Sequence, residues 1–351
     1  MVYNPIKNEI ILFGGMKNNL NQEASYLQDS WVFNCSDYIW REIETTNQPG
    51  RRISHDMIYD PENHQIVLFG GGNHQTSFND TWLFNLTSYT WTEIAPAIAP
   101  SPRYDPRMFY DSMNNEIVLY GGYLENGYSN NTWCFFPSNN SWRELKQIEA
   151  PSARYGHRMV YSTTKEKGFL FAGHANGNQD RVTNDMWQYN SNSRNWMEII
   201  LPAPPSERYW HEMVYDETNG EIIIFGGRAS GSSFLCRDDT WIFDENTEEW
   251  RQVIGEGPTA RMLSSMVYNS NEKKLILFGG NRDPNTQIFD DLWEFNIETN
   301  TWKKIMTSLP TSTTTPGTTT TTEESTPQIH IVGILLTLLS LIMVKKRKKA
   351  K

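Results

Sequence analysis

Cysteine is scarce in this chain: three in 351 residues, Cys35, Cys134 and Cys236. So few and so widely spaced, they cannot build a disulfide framework, and free or buried thiols are expected. Positive charge is also short. Lysine and arginine total 31 against 41 aspartates and glutamates, a net charge of −10. The basic tail 345–351 alone carries +6 and Glu323 with Glu324 carries −2, which leaves −14 on residues 1 to 322. That surface repels phosphate backbones, so no nucleic acid partner is expected. Long apolar runs are missing from the first 328 residues, and mean hydropathy is −0.59. An export leader is missing from the start as well.

Tryptophan, by contrast, is plentiful and periodic. Twelve of the thirteen form six pairs, each nine residues apart: Trp31 and Trp40, Trp82 and Trp91, Trp133 and Trp142, Trp187 and Trp196, Trp241 and Trp250, Trp293 and Trp302. A strand-like run ending in two small residues precedes each pair. The small residues are Gly14 and Gly15, Gly70 and Gly71, Gly121 and Gly122, Ala172 and Gly173, Gly226 and Gly227, Gly279 and Gly280. Thirteen residues before each small pair stands a methionine, from Met1 to Met266, followed by an apolar residue and a tyrosine. Five residues before each methionine except Met1 is an arginine: Arg52, Arg103, Arg154, Arg208, Arg261.

Self-similarity at a pitch of 51 to 56 residues is the mark of a repeat architecture. Each unit reads as four short strands. The methionine segment and the run before the small pair are apolar and β-branched or aromatic, and the two tryptophans open the arms of a hairpin. A sheet this small cannot bury both faces alone. Radial stacking covers each face with the next sheet, which makes the chain all-β and a propeller of six blades. The repeat glycines allow close backbone approach or positive φ; Trp31 holds the same repeat position as Trp82, Trp133, Trp187, Trp241 and Trp293, and these five are expected to be largely buried between sheets.

These motifs resemble the Kelch family. The double glycine, the tryptophan after the polar turn, and arginine with histidine three residues on in "RISH", "RYGH" and "RYWH" carry the resemblance over residues 1–306. It implies a Kelch-type β-propeller, most often a binding module, without cofactor. Ala172 departs from the double glycine, and Pro106 and Ser264 replace the histidine. The first blade is expected to be N-terminally truncated. Met1 occupies an internal repeat position, so the given start is expected to lie inside a longer chain with an export signal upstream.

The C-terminal part is different material. Residues 307–328 are Thr-rich and Pro-punctuated, and read as a disordered stalk. Residues 329–344 are predominantly apolar, without Asp, Glu, Lys or Arg, and read as a transmembrane helix, about 24 Å long. Residues 345–351 form a basic tail expected to be cytoplasmic, which places the propeller outside a single-pass membrane protein. Sequons at Asn34, Asn79, Asn85, Asn130 and Asn139 permit glycosylation there; an Asn-rich chain also makes them by chance.

Function is expected on the face where length varies. The interval from small pair to first tryptophan runs 17, 12, 12, 15, 15 and 14 residues, while the others hold almost constant. Variable loops on a rigid scaffold are where recognition sits. Strand alternation brings these loops and the repeat arginines to one end of the disc. Arg52, Arg103, Arg154, Arg208 and Arg261, with Tyr104, Tyr155 and Tyr209, are therefore the candidate face for a protein or glycan ligand. In the Kelch family arginines at this position often line the ligand mouth. The other reading pairs them with the acids before the tryptophans: Asp80, Asp185, Asp239 and Asp291. His55, His157 and His211 share one repeat position and read as scaffold, so no metal site is expected. Catalysis finds little support, since fold alone does not settle function. The alternative to a binding module is a carbohydrate-active surface enzyme of galactose-oxidase-like architecture.

Overall fold

The structure, a computed structural model, describes residues 1–17, 25–176, 181–231, 235–283 and 287–305. The stalk, the apolar segment and the basic tail fall at 307–351, outside the described residues. Among those described, no helix is long and apolar enough to cross a membrane.

Among the described residues six antiparallel blade sheets follow one another along the chain, each running from inner to outer strand in sequence order, with two short two-stranded ladders besides. The inner strands are Val2–Asn4, Asp56–Asp60, Arg107–Asp111, Arg158–Ser162, Glu212–Asp216 and Ser265–Asn269. Each packs on the next, and Ser265–Asn269 packs back on Val2–Asn4, so the six sheets close into a ring around an axis. The first inner strand has three residues where the others have five. It still pairs in register, Val2 with Ile11 and Asn4 with Glu9.

The nine-residue tryptophan spacing is a hairpin register. In each blade the aromatic residue two past the first tryptophan lies opposite the second: Phe84 with Trp91, Phe135 with Trp142, Tyr189 with Trp196. Their ring centroids are 4.8, 5.1 and 5.3 Å apart. The turn between them needs a left-handed residue, which Tyr89, Asn140 and Arg194 supply. Asn85 Oδ1 accepts from the Thr87 amide at 2.8 Å, and Asn34 Oδ1 from the Ser36 amide at 2.8 Å. At these two sequons the asparagine oxygen therefore builds the turn itself.

The core is a set of clusters between neighbouring blades rather than one centre. The first tryptophan of each blade packs on the blade before it. Trp82 sits with Phe13 and Val32, Trp133 with Val67 and Phe69, and Trp187 with Phe109 and Val118. Trp31, Trp82, Trp133 and Trp187 are buried. Trp241 and Trp293 also pack against the clusters between blades, with somewhat more surface left in solvent. Closure uses the same packing. Ile10, Leu12 and Phe33 meet Val267, Ile276 and Phe278, and Tyr38 donates to Glu294 at 3.0 Å.

A second link ties adjacent blades. The indole N–H of Trp91 donates to Ser30 Oγ of the blade before it at 2.9 Å. Trp142 reaches Thr81, Trp196 reaches Thr132 and Trp302 reaches Thr240, at 3.0, 3.0 and 2.9 Å. The hydroxyl before the first tryptophan of blades one, two, three and five thus serves the next blade. Blade four has Met186 at that position, and the Trp250 N–H facing it is buried without a described partner.

The second glycine of the pair lies against the chain that enters its own blade, while the first lies under the next blade's arginine carbonyl. A Cβ on Gly227, at φ +95°, would stand 2.8 Å from His211 Cβ and 3.0 Å from its backbone. Gly50 has open space around it. Gly227→Ala is therefore expected to destabilise the propeller by about 2–5 kcal/mol, from strain plus overlap. Gly50→Ala should stay within about 0.5 kcal/mol of the parent. Chemical denaturation of both variants checks the pair; equal midpoints would refute the close approach.

Candidate functional site

Four of the five repeat arginines make the same set of bonds. The Arg208 backbone N–H donates to Thr183 O of the preceding blade (3.0 Å), and its carbonyl accepts from Gly173 N–H of that blade (2.9 Å). Its guanidinium turns the other way, into its own blade. There it donates to Gly226 O at 3.0 Å and to both oxygens of Asp239 at 2.8 Å. Asp239 also accepts the Trp241 indole N–H at 2.8 Å. Arg52 with Asp80, Arg154 with Asp185 and Arg261 with Asp291 repeat the arrangement, each with a contact of 2.6 Å. Each arginine is a staple across a blade junction. Burial pushes the carboxyls of Asp185, Asp239 and Asp291 upward, but the arginine bonds outweigh it and hold all three below their usual 3.8.

Arg103 is the exception. Asn131 stands where the aspartate belongs, and the guanidinium bonds Gly121 O at 2.9 Å and Ser129 Oγ at 3.3 Å. Burial without a carboxylate pulls its pKa down to about 10. The Trp133 indole N–H, which an aspartate would accept, is buried without a described partner.

All five arginines are thus buried beneath the loop face, with no more than 2% of their surface exposed. What the axis presents on that face is aromatic. Each arginine is followed by Ile53, Tyr104, Tyr155, Tyr209 or Met262, and each small pair by Met16, Gly72, Tyr123, His174, Arg228 or Asn281. The two sets pair by backbone bridges, Tyr104 with Tyr123 and Tyr209 with Arg228, so they form concentric rings at one end of the disc. The aromatic members gather on blades three to five. Tyr128 lies 5.0 Å from Tyr155 between centroids, Tyr155 stacks on His174 at 5.2 Å, and His174 meets Tyr209 at 5.4 Å. Arg228 lies over Tyr209 at 5.6 Å. Tyr155 and Tyr209 are buried in this group, while Tyr104, Tyr128 and His174 keep part of their surface in solvent. Tyr104 donates its hydroxyl to Asn73 O and Thr76 O of the neighbouring loop.

One layer down, the axis is closed by residues that sequence reasoning missed. The residue two past each arginine is left-handed: Ser54, Asp105, Gly156, Trp210, Leu263. This turns the chain so that Asp105 N–H reaches Ser54 O (2.7 Å), Trp210 N–H reaches Gly156 O (2.7 Å) and Leu263 N–H reaches Trp210 O (3.0 Å). The residue types share nothing at that position, so composition carried no signal. His55, His157 and His211 lie beneath this layer, edge-on to Phe13, Tyr120 and Phe171. Burial holds all three well below the usual 6.5, so they are neutral packing groups. Among the described residues no cluster of three His, Cys, Asp or Glu could hold a metal. Cys35 and Cys134 are buried thiols; burial pushes Cys35 up to about 12.

The chain matches the KLHDC2/KLHL20/DRC7 Kelch-repeats domain over residues 2–214 and 200–333. It is 24% identical over 335 residues to Mei4-dependent protein 6 of Schizosaccharomyces pombe, covering 85% of this chain and 47% of that protein. It is 27% identical over 282 residues to Kelch domain-containing protein 3 of Homo sapiens, covering 73% and 70%. A flagellar outer-arm dynein alpha chain of Chlamydomonas reinhardtii is 26% identical over 297 residues, covering 77% of this chain and 6% of its own length. The chain thus spans about half the length of the first of these relatives.

Asn131→Asp would give both Arg103 and Trp133 the carboxylate that the other blades have. It is expected to stabilise the fold by about 1–3 kcal/mol at neutral pH. Because an arginine lowers the folded-state pKa, the gain is present above the usual aspartate value and is lost as pH falls through the lowered one. Thermal melts of parent and variant between neutral and acid pH check this. A gain that persists unchanged in acid would show that ion pairing is not its source.

Proposed function

The chain belongs to the Kelch-repeat family, and from that premise we propose that it is a non-enzymatic protein-binding module whose partner docks on the loop face. The observation that supports this is the aromatic group at the mouth. Tyr128 and His174 offer polar-tipped aromatic surface at the axis, with Arg228 beside them. Rigid aromatics bind at small cost in conformational entropy, and such residues dominate contact energies. The loops of different length around them supply selectivity. Arg228, itself buried against Tyr209, adds positive charge beneath the mouth, so an acidic group on the partner fits this reading. A glycan carboxylate presents the same chemistry, and sugar rings also stack on aromatics.

On this reading the module works at a membrane. The apolar segment 329–344 followed by basic residues supports an anchor, with the stalk 307–328 holding the loop face away from the bilayer. The propeller lies outside and the basic tail in the cytoplasm.

Peptide display and a glycan array screened against the full chain test the proposal. Tyr128→Ala combined with His174→Ala is expected to weaken the selected binders by about tenfold or more. Thermal unfolding should shift little, because both side chains are part-exposed. Arg208→Met should instead lower the unfolding midpoint, since it strips a buried aspartate of its partner at a cost of about 3–5 kcal/mol. Peptide binders insensitive to the double variant would overturn the assignment of this face. Selection of glycans alone would replace the protein ligand with a sugar.

A further inference from the structure

The junction between blades five and six departs from the repeat. From the second tryptophan of a blade to the next arginine the interval is twelve residues at four junctions, and eleven from Trp250 to Arg261. Where blades three and four meet, the linker closes on the blade it leads to. Gln147 Nε2 donates to Arg194 O at 2.9 Å, and Ala150 packs on the cluster that holds Trp187 and Trp196. Counted from the tryptophan, Gly255 stands where Gln147 does. Counted from the arginine, Gly257 stands where Ala150 does. The shorter linker therefore brings no side chain to either place.

A cavity of about 210 Å³ is left between the two blades. It is smaller than a cleft for a drug-sized molecule, and suits one long side chain. Val253 and the indole of Trp302 supply its apolar wall. Trp302 keeps part of its surface in solvent, whereas Trp91, Trp142 and Trp196 at the same repeat position are buried. Its ring is fixed in place, because the indole N–H donates to Thr240 Oγ1 at 2.9 Å. Gly257 lies against it: a Cβ there would stand 3.0 Å from Trp302 Cδ1.

The polar part of the lining is made of acceptors with nothing to accept. Asn300 Oδ1 is shielded from solvent and has no hydrogen-bond partner. Asn300 is the left-handed residue of the blade-six hairpin turn, at φ 53°, so the fold itself fixes where it stands. A shielded carbonyl oxygen left unpaired is costly, and calls for a donor. Asp238 and Glu256 line the same cavity, and neither makes a hydrogen bond or an ion pair among the described residues.

We infer that this notch binds an alkylammonium group, in its protein-borne form the side chain of a lysine on a partner. The three donors of a compact ammonium answer Asn300, Asp238 and Glu256 together. Its methylenes lie along Val253 and the indole, where the positive charge also gains from the ring. An anion would meet two unpaired carboxylates. A divalent metal ion takes a full shell of oxygens, and part of this wall is hydrocarbon. The lining comes from the third and outer strands and the linker, so the notch lies toward the outer edge of the disc. It is separate from the aromatic mouth and does not depend on what docks there.

NMR of the Trp302 indole N–H in the full chain follows the site during titration. The probes are Nα-acetyl-lysine amide, Nα-acetyl-norleucine amide, which lacks the ammonium, and calcium chloride. The lysine amide is expected to shift the signal saturably, with a Kd of about 1–10 mM, and the norleucine amide to bind at least about tenfold more weakly. Asp238→Asn combined with Glu256→Gln should weaken the lysine amide by about tenfold or more. Asn300→Gly keeps the left-handed turn and removes the carbonyl, and should weaken it about threefold or more. The Tyr128→Ala, His174→Ala double variant should bind it as the parent does. The proposal fails if the norleucine amide binds as well as the lysine amide, or if the lysine amide gives no saturable shift up to about 50 mM. It fails if calcium moves the signal at lower concentration than the lysine amide does, which would make this a metal site. An unchanged affinity in Asn300→Gly would also overturn it, since the ammonium would then be pairing with surface carboxylates outside the notch.

Discussion

One guanidinium at each of five blade junctions holds the disc together. The repeat arginine is bonded through its backbone to the blade before it and through its side chain to the blade it opens. It therefore fixes the distance and the rotation between two sheets at once. Side-chain packing alone resists sliding poorly, because the clusters between blades are chemically alike. A charged group with five donors and a fixed plane admits one arrangement. The glycine that follows each second strand is the other half of that constraint, since the arginine's carbonyl and the chain after it pass directly over it.

This use of arginine decides what the loop face can offer. A guanidinium already bonded to two carboxylate oxygens and a carbonyl has little left for a ligand. The residues beside it take over the mouth. Tyr155 and Tyr209 pack together with His174, and Tyr128 leans over them. Recognition is thereby moved from point charges to aromatic surface, with the charge of Arg228 at its side.

The left-handed layer beneath the mouth divides the axis. Five inner strands enter through a residue with positive φ, four of them not glycine. A non-glycine residue there costs roughly 1 kcal/mol or more, so four of them amount to a sizeable strain. The return is a run of inter-blade backbone bonds and the burial of Asp105 beneath Trp210. One propeller then has two unlike ends: a shallow aromatic mouth and a deeper space between the inner strands.

Much of the fold was legible in the sequence. Tryptophan pairs nine apart, a small pair before them and a methionine thirteen residues earlier determine four strands, their register and six blades, because each spacing is a strand length plus a turn. The pairing of Asp80, Asp185, Asp239 and Asp291 with the arginines was legible as an alternative, since a repeated acid and a repeated base at fixed separation can always meet. What the sequence could not decide was depth. Whether an arginine near a mouth projects into it or lies beneath depends on the rotation of one sheet on the next, which no local pattern encodes. The axial contacts of Asp56 with Arg107 and of Arg158 with Glu212 had no signal at all. Those residues are about fifty apart in the chain, unlike in type, and meet only when six inner strands are brought around a common axis.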